Sequence, residues 1–390
     1  MRTLVLDTEA TTYAKGNPFS RRNKLMCVGC YDTDLGYVYF DIEHSGLPYA
    51  RNLEIIKDRL VTSWTGPLEL LIGFNIKYDL HWLRRYIPFD LSIPRVWDCQ
   101  LAQFILNDQT TPYPSLDECL AQYGLPPKLD RVKLEYWDKG IDTDQVPHQV
   151  LTDYNEQDCI STYKLYLKQK ELLTGNKLRL FELHCADLLV LQEMEFNGLL
   201  FNADQSRIEG KKVEIELRGI LSQLDTLIGE PYDEINWNSP AHISTILYGG
   251  NVEIPCKVPT ERTLKDGTVR RGEKNGTRGR HFDRLCEPLE GSSTVHGWST
   301  AEDTLRSLDA TGKAKKLVEL VLQVSKLDKL VGTYYNGIPD LIEEMDWEPN
   351  TIHSTLNQCM ARTGRLSSSK PNSQNWDPRL KPLIYSSYKD

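Results

Sequence analysis

Short apolar runs and helical spacings alternate through the first 175 residues. Residues 4–9, 25–31, 37–40 and 68–74 are rich in Leu, Val, Ile, Tyr and Phe, which predicts strands. Residues 53–60, 78–86 and 96–106 carry apolar side chains three and four apart, which predicts helices. That interleaving is the pattern of an α/β layer. From about 177 to 230 the period is helical throughout, with Asn197-Gly198 as a helix stop and Asn202 or Asp204 as the next start. Residues 300–308 and 314–330 return to helical spacing. The longest apolar runs, such as 188–191, are far too short to span a bilayer.

Length and composition narrow the class. The 390 residues suggest two or three domains, and a 40% hydrophobic content is enough for real cores. The chain opens directly on a strand-like run, so no signal peptide is expected. Nine cysteines without a disulfide-framework spacing point to a reducing cytoplasm. Cys27-Val-Gly-Cys30 lacks the second pair that a zinc ribbon needs and reads as a buried strand. The net charge of −9 argues against a surface coated with nucleic acid but leaves room for local basic patches. Residues 256–284 are such a patch, with nine Lys or Arg against four acids. Within it Asp266-Gly267 and Asn275-Gly276 are hairpin-turn signals.

Three short segments carry candidate chemistry. Alternation along the first strand puts Asp7 and Glu9 on one face, where two carboxylates repel unless a hard cation joins them. Asn75-Ile-Lys-Tyr-Asp79 opens a helix and sets Asp79 beside an apolar stripe; a solvated helix-start acid is the plain alternative. In Tyr154-Asn-Glu-Gln-Asp158 the i, i+4 spacing puts Tyr154 and Asp158 on one helix face; an amphipathic helix with a core Tyr explains the same residues.

Taken in order, DxE, Nx3D and Yx3D resemble the tyrosine-bearing branch of the DEDD exonuclease superfamily over residues 1–175. The resemblance implies an RNase H-like fold and 3′→5′ removal of 5′-mononucleotides from a single-stranded end. Asp7, Glu9, Asp79 and Asp158 would hold two Mg²⁺ or Mn²⁺, with Tyr154 orienting the attacking water and Asn75 touching DNA. The remaining chain resembles family A DNA polymerases. The matching segments are Leu-Phe-Glu-Leu-His-Cys from residue 180 onward, Asn236-Trp-Asn-Ser-Pro-Ala-His-Ile, Trp298-Ser-Thr-Ala-Glu-Asp-Thr-Leu305 and residues 326–335. The most specific is Thr363-Gly-Arg-Leu-Ser-Ser with Pro371-Asn-Ser-Gln-Asn375.

This implies an α/β RNase H-like exonuclease domain (1–175), a mainly helical thumb (176–348) and the first strands of a truncated palm (349–390). Thr363, Arg365, Ser367, Asn372, Gln374 and Asn375 would contact primer–template DNA, and residues 256–284, at the place of the thumb tip, would be a DNA-backbone clamp through Arg270, Arg271 and Lys274, a processivity-factor site or a solvated loop. The family's polymerising carboxylates and fingers helix find no match here, so either these residues are a fragment or a second polypeptide supplies the palm and fingers. Residues 381–388 read as a palm strand lacking its neighbour. The compact start and the basic insertion suggest a phage-like member. A stand-alone DEDD exonuclease acting on DNA or RNA, and a non-catalytic DNA-binding subunit, are the rival readings.

Overall fold

Strand β1 (Arg2–Ala10) is buried along nearly its whole length and organises the first half of the chain. The computed structural model describes residues 2–44, 50–61, 68–87, 95–229, 235–263, 269–295 and 297–385. β1 pairs antiparallel with β2 (Leu25–Asp32), which pairs antiparallel with β3 (Gly36–Asp41). Helix α1 (Ala50–Val61) follows, and then β4 (Leu68–Gly73) lies parallel to β1 on its other side. Helix α2 (Ile76–Tyr86) leads to β5 (Val96–Asp98), parallel to β4. The order β3-β2-β1-β4-β5 is the RNase H-like arrangement expected for residues 1–175. Val96–Asp98 therefore corrects the helix expected over 96–106. These three residues complete the sheet, and α3 (Cys99–Leu106) begins only after Asp98, whose side chain caps it by accepting from Leu101 N.

Short helices α4 (Leu116–Gln122) and α5 (Arg131–Glu135) precede α6 (His148–Leu172), which packs on the sheet. Ser115 and Glu118 form a reciprocal capping box at α4. Two apolar clusters fill the two faces of the sheet. One gathers Leu4, Leu6, Val28, Ile56, Leu80 and Trp82; the other gathers Val5, Ile72, Trp97, Phe104 and Leu165. Alternation along β1 sends Leu4 and Leu6 to one face and Val5 to the other. Cys27 and Cys30 likewise fall into different clusters on β2, on opposite sides of the strand.

Helix α7 (Gly175–Asn197) starts two residues after α6 ends, yet it belongs to the same packing unit. Leu188 joins the first apolar cluster, and Phe181 and Cys185 join the second. After Gly198, whose left-handed φ of 65° ends α7, comes β6 (Leu199–Phe201). The chain forms two compact units, Met1–Asn202 with Asp340–Asp390, and Ala203–Pro339.

In the second unit, α8 (Ala203–Ile228), α9 (Pro240–Tyr248) and α11 (Gly312–Lys329) surround a core of Leu224, Trp237, Leu247, Leu317 and Val321. Ser239 caps α9 and Pro240 opens it, so the Asn236–Tyr248 motif encodes a helix start. Between α9 and α11 lie a long hairpin of β7 (Gly250–Thr263) and β8 (Val269–Phe282), a small β9–β10 pair (Ser293–Thr294, Gly297–Trp298) and α10 (Glu302–Arg306). Val252, Ile254 and Phe282 anchor the hairpin base in the core. The turn expected at Asn275-Gly276 is not there. Both residues sit inside β8, opposite Lys257 and Cys256, and glycine is needed at 276 because a Cβ would stand 2.5 Å from Val258. The other signal, Asp266-Gly267, lies outside the described residues.

A seven-residue π-helical stretch, Leu330–Asn336, continues α11 into α12 (Gly337–Glu344). In the first unit, β11 (Thr351–Ile352) pairs with β6, and β12 (Thr355–Asn357) pairs with β13 (Ser367–Ser369). Of the strand expected over 381–388, only β14 (Ile384–Tyr385) forms, preceded by 3₁₀ turns over Pro378–Leu383. β14 is paired against Phe201 and Leu200 of β6, so it has a neighbour; residues 386–388 lie outside the described residues.

One buried ion cluster joins α2, α7 and β12. Lys77 Nζ donates to Glu195 Oε1 and to the Leu356 carbonyl, both at 2.6 Å. Glu195 also accepts from His81 Nε2 at 2.8 Å and from Leu356 N at 2.5 Å. Burial pushes Glu195 upward, but the His81 hydrogen bond and the Lys77 charge hold it below the usual carboxylate range. Among the described residues, no helix is long and apolar enough to cross a membrane.

Candidate active site

Asp7 and Glu9 leave β1 on the same face, and α6 lays Asp158 across them. Ligand oxygens of Asp7, Glu9 and Asp158 lie within 4.8 Å of one another, and these three form the one such group of titratable ligands among the described residues. Glu9 and Asp158 are buried and Asp7 half-buried. Burial, reinforced by the Asp158 charge, pushes Asp7 up to about 7. Burial and then Asp7 and Asp158 raise Glu9 well above its ordinary value. Burial raises Asp158 as well, against the charge of Lys128.

Asp79 reaches β1 from α2 but takes a different place. Its Oδ1 accepts from Thr8 N at 3.0 Å and from Thr8 Oγ1 at 2.6 Å. Thr8 lies between Asp7 and Glu9 in sequence and so projects to the opposite face. Asp79 therefore stands within electrostatic reach of the other carboxylates, and burial and Asp7 both raise it, yet it is outside the tight group of three. Tyr154 is one turn before Asp158 on α6, packed edge-on against Trp137 at 5.7 Å. Burial and the neighbouring carboxylates push its phenol upward, so it stays protonated.

Two residues of the site were not singled out from sequence. Lys128, in the loop after α4, places Nζ 2.6 Å from Asp158 Oδ2 and donates to Tyr154 Oη at 3.2 Å. No periodic signal marks a loop lysine. Asn155 donates from Nδ2 to Asp7 Oδ2 at 2.7 Å, while its Oδ1 accepts from Tyr37 Oη at 2.9 Å. A Cβ on Gly29 would lie 1.6 Å from Asn155 Oδ1. A glycine inside an otherwise apolar strand was the available signal, because such a glycine marks close approach.

The group fits a hard divalent cation. Two buried carboxylates and one half-buried, facing one another, are costly without positive charge. The carboxylate oxygen Asp158 Oδ1 is buried with no hydrogen-bond partner. An all-oxygen donor set suits Mg²⁺ or Mn²⁺ better than zinc.

The other expected contacts lie elsewhere in the first unit or in the hairpin. Asn75 is the N-cap residue of α2, in a left-handed conformation, and lines a groove of about 200 Å³ with Gln100, Tyr113, Asn357 and Gln358. Thr363 and Arg365 are exposed in the turn between β12 and β13. Ser367 is in β13, and Asn372, Gln374 and Asn375 are exposed just beyond, with Asn372 Oδ1 accepting from Gln374 N. In the hairpin Arg270 and Lys274 are exposed on β8, whereas Arg271 is ion-paired to Glu261 at 2.7 Å.

Comparison with known proteins matches residues 3–174 to the 3′-5′ exonuclease family and residues 281–382 to DNA polymerase family A. DNA polymerase I of Synechocystis sp. is 27% identical over 83% of this chain and 28% of its own length. DNA polymerase I of Bacillus subtilis is 26% identical over 73% of this chain and 27% of its own length. The chain thus spans less than a third of these relatives, which are bacterial. A solved structure of the POL domain of Pol1 from M. smegmatis, in complex with DNA primer-template and dNTP, shares the fold. It is 16% identical with a TM-score of 0.65, covering 97% of this chain and 53% of that one.

Proposed function

We propose that this chain, in which residues 3–174 form a 3′–5′ exonuclease domain and residues 281–382 are part of a family A DNA polymerase, proofreads DNA. The observation that carries this reading is the buried convergence of Asp7, Glu9 and Asp158 beside a protonated Tyr154.

Asp7, Glu9, Asp158 and Asp79 are assigned to two divalent cations, Mg²⁺ or Mn²⁺. These ions would supply the Lewis acidity that activates water and stabilises the leaving 3′ oxygen. The protein's own residues do the positioning. Tyr154 keeps its proton, so its hydroxyl orients the attacking water and is not the base. Lys128 holds Tyr154 and Asp158 in place from the loop side. Asn155 fixes the carboxylate of Asp7, and Thr8 fixes that of Asp79. Because these carboxylates are buried, a paired terminus must unpair to reach them, so the substrate is a frayed single-stranded 3′ end and the product a 5′-mononucleotide.

The functional division we adopt is nuclease over 1–175, thumb over 176–348 and start of palm over 349–390. Thr363, Arg365, Ser367, Asn372, Gln374 and Asn375 are assigned to primer–template contact, and the exposure of all but the half-buried Ser367 suits that role. Minor-groove acceptors vary little with sequence, so Arg, Asn and Gln there test pair shape without reading bases. Polymerisation is assigned to residues outside these 390, on the same or a second polypeptide. The reaction would take place in the cytoplasm.

The test is digestion of 5′-labelled single-stranded DNA by the purified chain with Mg²⁺. Shortening from the 3′ end is expected, with chelation stopping it. Asp7→Ala combined with Glu9→Ala should remove it, because several kcal/mol of charge stabilisation go with the cation site. Digestion by that double variant at the wild-type rate would refute the assignment.

A further inference from the structure

We propose that Lys77 and Glu195 are positioning residues of the nuclease: their buried ion pair fixes the rotation of α2 about its own axis, and so fixes where the Asp79 carboxylate is presented. The proposal rests on the reading above that Asp79 helps to hold one of two cations, and it gives a task to two residues that the motifs leave unassigned.

On the sheet side Asp79 is held through one oxygen. Both Thr8 donors, N at 3.0 Å and Oγ1 at 2.6 Å, go to Asp79 Oδ1. Oδ2 is the oxygen left to meet a cation, and its direction follows the helix. Leu80, Trp82 and Leu83 pack α2 into the apolar core, but that attraction is not directional. Asn75, at the N-cap, makes no capping bond from its side chain. The first turn is tied to β5 by a bond from Ile76 N to Asp98 Oδ2 at 2.8 Å, which by itself is a pivot. A side-chain end about 5 Å from the helix axis moves by about 1 Å when the helix turns by about 10°. A displacement of that size can cost about 100-fold where groups must meet in one geometry.

The opposite side of α2 supplies the missing fixed points. Lys77 and His81 are four apart and share a face, whereas Asp79, two residues from each, projects about 200° away. One carboxylate meets both members of that face. Lys77 Nζ donates to Glu195 Oε1 at 2.6 Å, and His81 Nε2 donates to Oε2 at 2.8 Å while its Nδ1 accepts from Gln192 at 3.2 Å. Leu356 closes the frame from β12. Its N–H donates to Glu195 Oε1 at 2.5 Å, and its carbonyl accepts from Lys77 at 2.6 Å. The side chains of Lys77 and Glu195 are 12% and 4% exposed. Arg84, further along the same face, pairs with Glu193 nearer the surface, where an ion pair contributes less. A buried ion pair is a poor source of stability, because desolvation offsets most of its attraction. What this one adds is direction: its bonds are all made at one rotation of α2, and apolar side chains in their place would tolerate several. Leu356 lies within the residues matched to family A polymerase, so the nuclease helix is aimed in part by backbone from outside the nuclease match.

The experiment separates aim from stability. Lys77→Met combined with Glu195→Gln removes both charges, so neither is left buried and unpaired, and the full chain should melt near the wild-type midpoint. Mn²⁺ binding is titrated through the electron paramagnetic resonance signal of the free ion. Wild type should bind two Mn²⁺ per chain, and Asp79→Asn should identify the one that Asp79 holds by weakening it. In the double variant that same ion should bind about 10- to 100-fold less tightly, and the other as in wild type. Single-turnover digestion at saturating DNA should slow, with the DNA concentration at half-saturation unchanged. Wild-type affinity for both ions in the folded double variant, or weakening of an ion other than the one lost in Asp79→Asn, would overturn the proposal. Glu195→Gln alone, which keeps the side-chain shape, is read in the same way where the double variant does not fold. A wild-type chain that digests single strands but binds a single Mn²⁺ sinks this proposal alone. One that binds none and digests nothing sinks the nuclease reading with it.

Discussion

Asn155 Nδ2 donates to Asp7 Oδ2 across 2.7 Å. The bond depends on residue 29 having no side chain, because a Cβ there would meet Asn155 Oδ1 at 1.6 Å. A carboxylate at the centre of the site is thus held by an amide whose room is cleared from a neighbouring strand. Tyr37 grips the far end of that amide.

Gly29→Ala should therefore act on catalysis through Asn155. Single-turnover digestion of single-stranded DNA should slow about 10- to 100-fold, the usual cost of losing a partner that orients a ligand. Asn155→Ala should slow it comparably. The double variant should melt higher than Gly29→Ala alone, because truncating Asn155 makes space for the new methyl. A double variant no more stable than Gly29→Ala would show that the clash lies elsewhere.

Lys128 is expected to be a positioning residue. Lys128→Ala should lower the single-turnover rate by about tenfold, or about 1.4 kcal/mol, with a smaller effect on the DNA concentration needed for half-saturation. Lys128→Arg should recover part of the loss. Tyr154→Phe should cost less than Asp7→Ala. An unchanged rate in Lys128→Ala would assign its contacts with Asp158 and Tyr154 to folding alone.

The crowded carboxylates set a pH dependence in metal-free protein. Asp7 has a folded value of about 7, above its ordinary 3.8, so the folded state binds protons more tightly than the unfolded one. The favourable contribution is full below about 4 and is lost as pH rises through about 7. In chelator, wild type should melt lower at pH 8 than at pH 5. Asp7→Asn should flatten that difference, and Mg²⁺ should raise the wild-type midpoint at pH 8. A midpoint indifferent to both pH and Mg²⁺ would argue against a strained cluster.

Arg365→Ala should weaken primer–template binding by about tenfold or more, as for a lost charge-assisted hydrogen bond, and should affect single-strand digestion less. Primer extension by the purified chain is expected to be undetectable, since Asp7, Glu9 and Asp158 are the one tight carboxylate group among the described residues. Nucleotide-dependent extension by this chain alone would contradict that assignment.

The nuclease half was largely legible because its signals are local. Alternation set Asp7 and Glu9 on one face, and helical spacing set Tyr154 beside Asp158. What escaped was set by contacts distant in sequence. Val96–Asp98 carries no helix-breaking residue, and its strand character comes from β4 alongside it. Asn275-Gly276 has the composition of a turn but is held in a strand by Lys257 and Cys256, and Val258 explains the glycine. Lys128 sits in a loop, where no period exists to mark it. The ion pair of Arg271 with Glu261 depends on a register that composition does not encode.

The cluster around Glu195 bears on how the nuclease can be isolated. A polypeptide cut after residue 174 keeps every residue of the three motifs but loses α7. Leu188 would be stripped from one side of the sheet, and Phe181 and Cys185 from the other. Lys77 and His81, on the helix that carries Asp79, would lose their shared carboxylate. Such a truncation exposes apolar surface and strands Lys77 without its carboxylate on the helix that carries Asp79, so poor solubility is the natural outcome. Excision after Asn202 restores α7 but still leaves Glu195 without Leu356. The first unit is therefore discontinuous in sequence, and a soluble version of it calls for grafting residues 340–385 back onto 1–202 through a short linker.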